Sequence, residues 1–141
     1  MANNFSPELS VKRSPINGRG CFANILFPKR GKIAEYTGEL ISRREAARRA
    51  KGTRKLRICA INYYWSIDGS RGENPARYIN HSCTPNSFIR VIYGHIIFFA
   101  LRDILPGQEI TLDYVDTHHS DSKGCTCQSP ACRGTINRPK K

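Results

Sequence analysis

The amino-acid sequence predicts a mostly β fold. Most apolar residues stand in short runs rich in β-branched and aromatic side chains, which favour strands. Turns containing proline, glycine or asparagine separate these runs. The chain has 141 residues, a length that suits a single domain with a core of its own. Only one stretch has the composition of a helix.

The N-terminal half contains two turn-and-strand units followed by that helix. In SVKRSPINGRGCFA (residues 10–23), strand edges flank a turn at Pro15, Asn17 and Gly18. In LFPKRGKIAEYTGELIS (26–42), a turn at residues 28–31 precedes a strand. A helix is expected over residues 42–50, because Ser42 and Glu45 form a capping-box pattern and alanine and arginine favour helix. Gly52 is expected to end it.

The C-terminal half predicts three further strand units and a separate tail. INYYWSID (61–68) has strand composition, and FIRVIYGHIIFFALRDI (88–104) predicts a hairpin around Tyr93-Gly94-His95. A turn at Pro106-Gly107 introduces the last strand. The polar stretch THHSDSKG then separates a cysteine-rich tail. The predicted divisions are an N-terminal tail, the main domain, a linker and a cysteine-rich segment, at residues 1–9, 10–116, 117–124 and 125–141.

The chain is strongly basic, with a formal net charge of +12 from 23 Lys and Arg against 11 Asp and Glu. Much of this charge lies in SRREAARRAKGTRKLR (42–57), which indicates affinity for polyanions such as nucleic acid, or equally a solvated basic helix. No apolar run approaches the ~18 residues of a membrane span. The first ten residues lack the apolar region of a secretory signal. An intracellular protein without a membrane segment is therefore expected.

Six cysteines are present, and in a reducing compartment they indicate ligands or buried thiols. Cys125, Cys127 and Cys132 form C-x-C-x4-C, a partial zinc site that needs a fourth ligand. His118, His119 or a cysteine returned by the fold could supply it. Alternatively, His81 and Cys83 point the same way in an extended segment and could form a nucleophilic pair, although no orienting acid is visible.

Five motifs in order resemble those of SET-domain protein lysine methyltransferases with a post-SET zinc tail. The resemblance covers roughly residues 10–134, and the combination of NHSC-x-P-N, LDY and C-x-C-x4-C is specific. The motifs are GRGCFA (18–23), EYTGELIS (35–42), RYINHSCTPNS (77–87), GQEITLDY (107–114) and CTCQSPACRG (125–134).

The resemblance implies a fold of several small β-sheets with a knot-like C-terminal threading, one or two short helices and a zinc-bound tail. It implies S-adenosylmethionine on one face, the substrate lysine on the other, and a narrow channel between them. Cys83 would be the fourth zinc ligand, with Cys125, Cys127 and Cys132. The implied cofactor contacts are Gly18, Arg19, Gly20, Cys21, Phe22, Asn80, His81 and Tyr114.

Tyr114 is the predicted catalytic residue, with Tyr36 and Tyr63 expected to line the lysine channel; Tyr64 could exchange with Tyr63. Methyl transfer needs a neutral, positioned amine rather than a strong base. In this family, the residue two places before the catalytic tyrosine helps to set how many methyl groups are added. Leu112 and Ile89 carry no hydroxyl that could hold a water there, which predicts di- and trimethyllysine.

The resemblance also implies a basic, histone-like protein substrate and, in that case, a nuclear or chromatin-associated enzyme, native or delivered to a host cell. The alternative is a catalytically weak SET fold that serves as a zinc-stabilised chromatin or nucleic-acid binding module. Residues 42–57 are expected to face nucleic acid or a nucleosome. The insert before NYYW is short, so either the substrate is read loosely or a homodimer completes the groove. Acidic residues expected near the channel mouth are Glu39, Asp68, Glu73 and Asp116.

Overall fold

The structure is a computed structural model that describes residues 3–52, 57–70, 74–114, 125, 127 and 129–135. Within these residues the chain forms short strands, one α-helix and one 3₁₀ helix (Pro75–Tyr78). The helix is α1 (Arg43–Ala50), and the strands are β1 (Asn3–Ser6), β2 (Leu9–Arg13), β3 (Arg19–Ala23), β4 (Lys32–Tyr36), β5 (Glu39–Ser42), β6 (Ile58–Ala60), β7 (Trp65–Asp68), β8 (Asn80–His81), β9 (Ser87–Ile92), β10 (His95–Ala100) and β11 (Thr111–Leu112).

The described strands form four small sheets, which confirms the predicted mostly β class with several sheets and short helices. Their orders are β1-β2-β3, β4-β10-β9, β11-β8 and β5-β7-β6. The β11-β8 pair is parallel, with Thr111 opposite Asn80 and Leu112 opposite His81. It brings β11, the last strand among the described residues, beside the middle of the chain.

Buried side chains reinforce this two-residue pairing. Asn86 is 6% exposed and accepts from the main-chain N–H of Thr111 at 2.9 Å, while its amide donates to the carbonyl of Glu109 at 2.8 Å. The Ser87 hydroxyl donates to the carbonyl of Thr111 at 2.6 Å. These side chains bond backbone N–H and C=O groups of Glu109 and Thr111 that the two-residue strand pair does not bond. Buried backbone groups without a hydrogen-bond partner are energetically costly.

The predicted helix and hairpin are both confirmed. Helix α1 begins after Ser42, whose hydroxyl accepts from the N–H of Glu45 at 3.1 Å, as an N-cap residue does. Strands β9 and β10 pair in antiparallel register around a two-residue turn. Both turn residues, Tyr93 and Gly94, have positive φ angles of 50° and 80°, which is the pattern of the tight hairpin turns that match strand twist.

The N-terminus contains a strand that was not predicted. Strand β1 pairs with β2 in antiparallel fashion, with Ser6 opposite Leu9. Leu9 itself is buried, at 2% exposure. The residues from 3 onward therefore add an outer strand to the sheet that carries β3, and the proposed division at residue 9 remains a prediction.

Two apolar clusters hold the sheets together. The larger one is centred on the inner face of β10, where Ile96, Phe98 and Ala100 are buried. The smaller one packs beneath α1 and includes Ile41 and Ile58, with Tyr114 and Cys125 against it. None of the helices in the described part of the chain has the length and apolar character needed to cross a membrane.

Candidate functional site

A small, mostly apolar cavity lies where the 3₁₀ helix meets β4, β9, β10 and β11. Its volume is about 30 Å³, enough for a water molecule or a methyl group but not for a bulky ligand. Two tyrosines, Tyr36 and Tyr114, line it. The apolar part of the wall includes Ile58, Cys59, Ile79, Ile89, Phe98 and Leu112.

Tyr36 enters the cavity wall from the end of β4. Its side chain is buried, and its hydroxyl donates to the carbonyl oxygen of Arg57. Gly69 makes room for it, since a Cβ at that position would lie 2.5 Å from the Tyr36 hydroxyl oxygen. Burial raises the pKa of Tyr36 well above its usual range. The phenol is therefore neutral at physiological pH.

Tyr114 follows β11, and the parallel pairing with β8 sets its position. Its hydroxyl donates to the carbonyl oxygen of Ile79, and its main-chain N–H donates to Nδ1 of His81 at 3.0 Å. The His81 and Tyr114 rings meet edge to face with centroids 5.4 Å apart. Burial also raises the pKa of Tyr114. Both cavity phenols thus keep their protons and cannot act as anionic bases at neutral pH.

His81 is a buried, neutral imidazole. Because Nδ1 accepts from Tyr114, the ring proton resides on Nε2, which lies 3.5 Å from Sγ of Cys83. Burial lowers the pKa of His81 to about 4, against the opposing effect of Asp113 and with a smaller lowering effect of Arg133. Cys83 also lies 3.8 Å, between sulfur atoms, from Cys125. The arrangement places Cys83 in a cysteine cluster rather than in an isolated Cys–His pair.

Glu109, which was not singled out from the sequence, joins the two segments predicted to contact the cofactor. Its carboxylate accepts from the Ser14 hydroxyl at 2.7 Å and from the Asn80 amide at 2.9 Å. The same amide donates to the carbonyl of Arg19 at 3.0 Å. A Cβ on Gly20 would lie 2.4 Å from Oε2 of Glu109. The missing side chain at Gly20 therefore accommodates this carboxylate.

The other residues of the GRGCFA motif differ in exposure. Gly18 has φ +47° and open space where a Cβ would stand, and Arg19 is exposed. Cys21 is fully buried, and burial, helped by Glu109, raises the pKa of its thiol to about 12. Phe22 is 8% exposed, with the Lys12 ammonium 4.5 Å from its ring centroid. Cys21 is thus an inert core thiol.

Four cysteines meet beside the cavity. The sulfur atoms of Cys83, Cys125, Cys127 and Cys132 all lie within 4.8 Å of one another. A tetrahedral zinc site with Zn–S bonds of about 2.3 Å has S–S edges of about 3.8 Å, the distance found between Cys83 and Cys125. His118 and His119, the other candidates for a fourth ligand, lie outside the described residues.

An ion pair also connects the tail to the cavity wall. The Arg133 guanidinium donates to both carboxylate oxygens of Asp113, each at 2.9 Å. Asp113 lines the cavity next to Tyr114. The main-chain N–H of Arg133 points at Sγ of Cys83, 3.4 Å away. Such paired charge-assisted bonds fix orientation as well as distance, so the cysteine cluster and Tyr114 are positioned together.

The structure does not bring Tyr63 to the two buried tyrosines. Tyr63 is 67% exposed, its ring lies 4.0 Å from the Arg43 guanidinium, and it is absent from the cavity wall. Tyr64, 69% exposed, lies edge-on to Tyr63. By contrast, Leu112 and Ile89, the residues expected to influence product multiplicity, both line the cavity.

Part of the basic helix is neutralised within the molecule. Arg49 forms ion pairs with Glu39 at 3.0 Å, with Glu45 at 2.8 Å and with Asp68 at 2.8 Å. Two of the acids expected near the channel mouth, Glu39 and Asp68, therefore form ion pairs with Arg49. The other two, Glu73 and Asp116, fall outside the described residues.

Comparison with known proteins assigns the family. The family model of the SET domain matches residues 18–115, which contain the cavity, the β8-β11 pair, and Glu109 with its partner Asn80. The chain belongs to the SET-domain family.

Three similar proteins are histone-lysine methyltransferases by name. The Schizosaccharomyces pombe histone-lysine N-methyltransferase, H3 lysine-4 specific, is 36% identical over 92% of this chain. Drosophila melanogaster trithorax is 33% identical over 94% of it, and human histone-lysine N-methyltransferase 2B is 36% identical over 92%. This SET domain spans only 15%, 4% and 5% of those proteins, respectively.

The contact between Gly20 and Glu109 generates a stability prediction. Gly20→Ala should lower the free energy of unfolding by about 1–3 kcal/mol, because the new methyl group overpacks the carboxylate. Urea denaturation measures the loss.

A double-mutant cycle supplies the control. In a Glu109→Ala background the same Gly20→Ala change should cost clearly less, since the contact atom is gone. Equal costs in both backgrounds would contradict the assigned contact.

Proposed function

We propose that this SET domain transfers methyl groups from S-adenosylmethionine to a lysine side chain of a protein. The observation that carries the proposal is the narrow apolar cavity walled by the two buried, neutral tyrosines Tyr36 and Tyr114. The names of the similar proteins support the same reaction. A cavity of this size fits the methyl-bearing end of an amine and excludes bulk water.

The chemistry of the cavity suits a neutral amine nucleophile. A free lysine has a pKa of about 10.4, and burial in an apolar wall lowers the pKa of an ammonium. The amine proton can therefore pass to water before transfer. Neither phenol can take that proton at neutral pH, so the contribution of Tyr36 and Tyr114 is to position the amine and complement charge through fixed hydroxyl and carbonyl dipoles.

The polar surface beside the cavity fits S-adenosylmethionine. That cofactor supplies an electrophilic methyl group on a positive sulfonium. The main chain of residues 18–22, with the open space at Gly18, and Asn80-His81 would hold it. Glu109 adds a negative charge that a cationic ligand favours, and it orients Asn80. Strand β8 carries Asn80 next to β11, whose Leu112 lines the cavity.

We assign zinc to the four-cysteine cluster. The donor set is closed and all sulfur, as in structural zinc sites, and the sulfur separations support tetrahedral binding. Main-chain N–H groups of Arg133 and Gly134 point at Cys83 and Cys132, each 3.4 Å away, so both sulfur atoms accept backbone hydrogen bonds. Apparent zinc binding energies of about 10–16 kcal/mol are ample to hold so short a tail against the domain.

The proposed substrate is a histone or another basic protein associated with nucleic acid, which would place the enzyme on chromatin. The similar proteins' names support histones. In residues 42–57, Arg43, Arg44 and Lys51 are exposed and remain candidates for nucleic-acid contact, whereas Arg49 is committed to carboxylates. A second subunit that completes the substrate groove stays part of the proposal.

The role of Tyr114 is tested by removing its hydroxyl. Tyr114→Phe should keep the fold and cofactor affinity but lower turnover at least about 100-fold, because one oriented polar group is lost. Transfer of labelled methyl groups from S-adenosylmethionine to core histones measures it.

Tyr93→Phe is the matched control, because Tyr93 is 98% exposed at the hairpin turn, and it should behave as wild type. Wild-type turnover in Tyr114→Phe would remove Tyr114 from the mechanism. Absence of transfer by wild-type protein would instead favour a chromatin-binding role.

Metal analysis tests the zinc assignment. Freshly purified, reduced protein should contain one zinc per chain, and Cys127→Ser should lose both the zinc and the activity while the main domain stays folded. Ser129→Ala, which alters the same segment without removing a sulfur, should retain the metal. A zinc-free wild-type protein would refute the assignment.

Product analysis tests the role of Leu112. With no hydroxyl from Leu112 or Ile89 to hold a water in the cavity, methylated amines should fit, and di- and trimethyllysine should accumulate. Leu112→Tyr should shift the product towards monomethyllysine, whereas Leu112→Met, which adds no hydroxyl, should not. Mass spectrometry of a peptide at long reaction times decides it; a monomethyl end point in the wild type would contradict this role.

A further inference from the structure

A second, larger concavity lies on the other face of the β9–β10 hairpin from the cavity. Its volume is about 580 Å³, within the range of ligand pockets in proteins. We call it the outer groove, and it is lined by Lys29, Arg30, Phe88, Arg90, Phe99 and Leu101. None of these residues lines the tyrosine cavity.

The floor of the outer groove is aromatic. Phe88 and Phe99 are cross-strand partners whose rings are nearly parallel, with centroids 5.7 Å apart and an interplanar angle of 24°. Both rings are partly exposed, and Leu101 beside them is 45% exposed. The Arg90 guanidinium lies 4.7 Å from the Phe88 ring centroid. The exposed parts of the two rings and of Leu101 are therefore the aromatic and apolar surface that a planar ring can contact.

The walls of the outer groove are cationic. Lys29, Arg30 and Arg90 line it, and no carboxylate does. Across the described parts of the chain, no ion pair joins these three side chains to an acid, in contrast to Arg49 with its three carboxylates. The acid that contacts this region, Asp103, accepts from the main-chain N–H of Lys29 at 2.8 Å. The groove therefore presents unneutralised positive charge.

The backbone at Arg30 supports a role for its side chain. Arg30 has φ +70° and stands third in a turn closed by a bond from the N–H of Gly31 to the carbonyl of Pro28 at 2.8 Å. Glycine is favoured at turn positions with positive φ, and a side chain there has a conformational cost. An arginine in such a position is an outlier of the kind found at functional sites.

We propose that the outer groove binds a single-stranded segment of nucleic acid. Its phosphates would lie on the Lys29, Arg30 and Arg90 side chains, and an unpaired base would stack on the phenylalanine floor, a combination typical of single-strand binding. A duplex could meet the cations but would keep its bases stacked inside, away from the floor. The charge and the aromatic surface together thus favour a single strand.

The outer groove and the tyrosine cavity can be occupied at the same time. Side chains alternate between the two faces of a strand, so Ile89 and Phe98 line the cavity while their neighbours Phe88 and Phe99 line the groove. A nucleic-acid strand on the outer face would hold the protein near its substrate without entering the cavity. This inference goes beyond the proposed methyl transfer and does not require it.

Fluorescence anisotropy with the full chain and a short fluorescein-labelled oligouridylate tests the proposal at several salt concentrations. Wild-type protein should bind, with affinity falling as salt rises. The double variant Arg30→Gly/Arg90→Gln should make the negative slope of log affinity against log salt shallower by about 1.4, which is about 0.7 for each lost phosphate contact. Arg30→Gly alone should melt at or above the wild-type temperature, because glycine suits the positive φ, so weaker binding would not reflect unfolding.

The matched control removes the same charge from exposed positions on β2, outside both the outer groove and residues 42–57. Lys12→Gln/Arg13→Gln should leave the slope nearly unchanged; an equal loss in both pairs would show that only net charge matters and would overturn the proposal. Phe88→Leu should weaken binding about tenfold, a typical effect of one lost base stack, without changing the slope. Equal affinity for a duplex, for uridine monophosphate or for polyglutamate would also overturn it. Because anisotropy does not depend on methyl transfer, an inactive enzyme would leave this result interpretable.

Discussion

The site depends on the parallel pairing of β8 with β11, which is only two residues long. This pairing sets Asn80 opposite Thr111 and His81 opposite Leu112. It thereby positions the main-chain N–H of Tyr114 to donate to Nδ1 of His81. So short a pair has little stability of its own. Buried hydrogen bonds from Asn86 and Ser87 hold it in register. A shift by one residue would move Leu112 to the opposite face and remove it from the cavity wall.

Local signals allowed much of the framework to be predicted from the sequence. The Ser42 cap and the Tyr93-Gly94 turn depend on residues within a few positions of one another, and both occur as expected. The convergence of Cys83 with the tail cysteines followed from the resemblance to the family, because no local pattern reveals which distant residue completes the set. Strand β1 was missed because NNFS has little apolar or β-branched character.

Side-chain contacts between distant segments were harder to predict. Glu109 was overlooked because its partners Ser14 and Asn80 lie 95 and 29 residues away, and nothing near Glu109 marks it. Tyr63 was expected in the channel, but composition does not determine which way a residue beside a strand points, and the described ring faces Arg43. The net charge likewise did not predict which basic side chains form ion pairs. Arg49 pairs with carboxylates, whereas no described ion pair involves the cations of the outer groove.

Side chains alternate between the two faces of β9 and β10, so this hairpin is the single layer of sheet that separates the tyrosine cavity from the outer groove. Residues that face the cavity and residues that face the outer groove follow one another directly in sequence, yet share no surface. The two faces can therefore diversify separately. Substitutions at Phe88 or Arg90 can reshape the outer groove while Ile89 keeps the shape of the tyrosine cavity. If both proposals hold, nucleic-acid binding and the number of methyl groups added can therefore change independently.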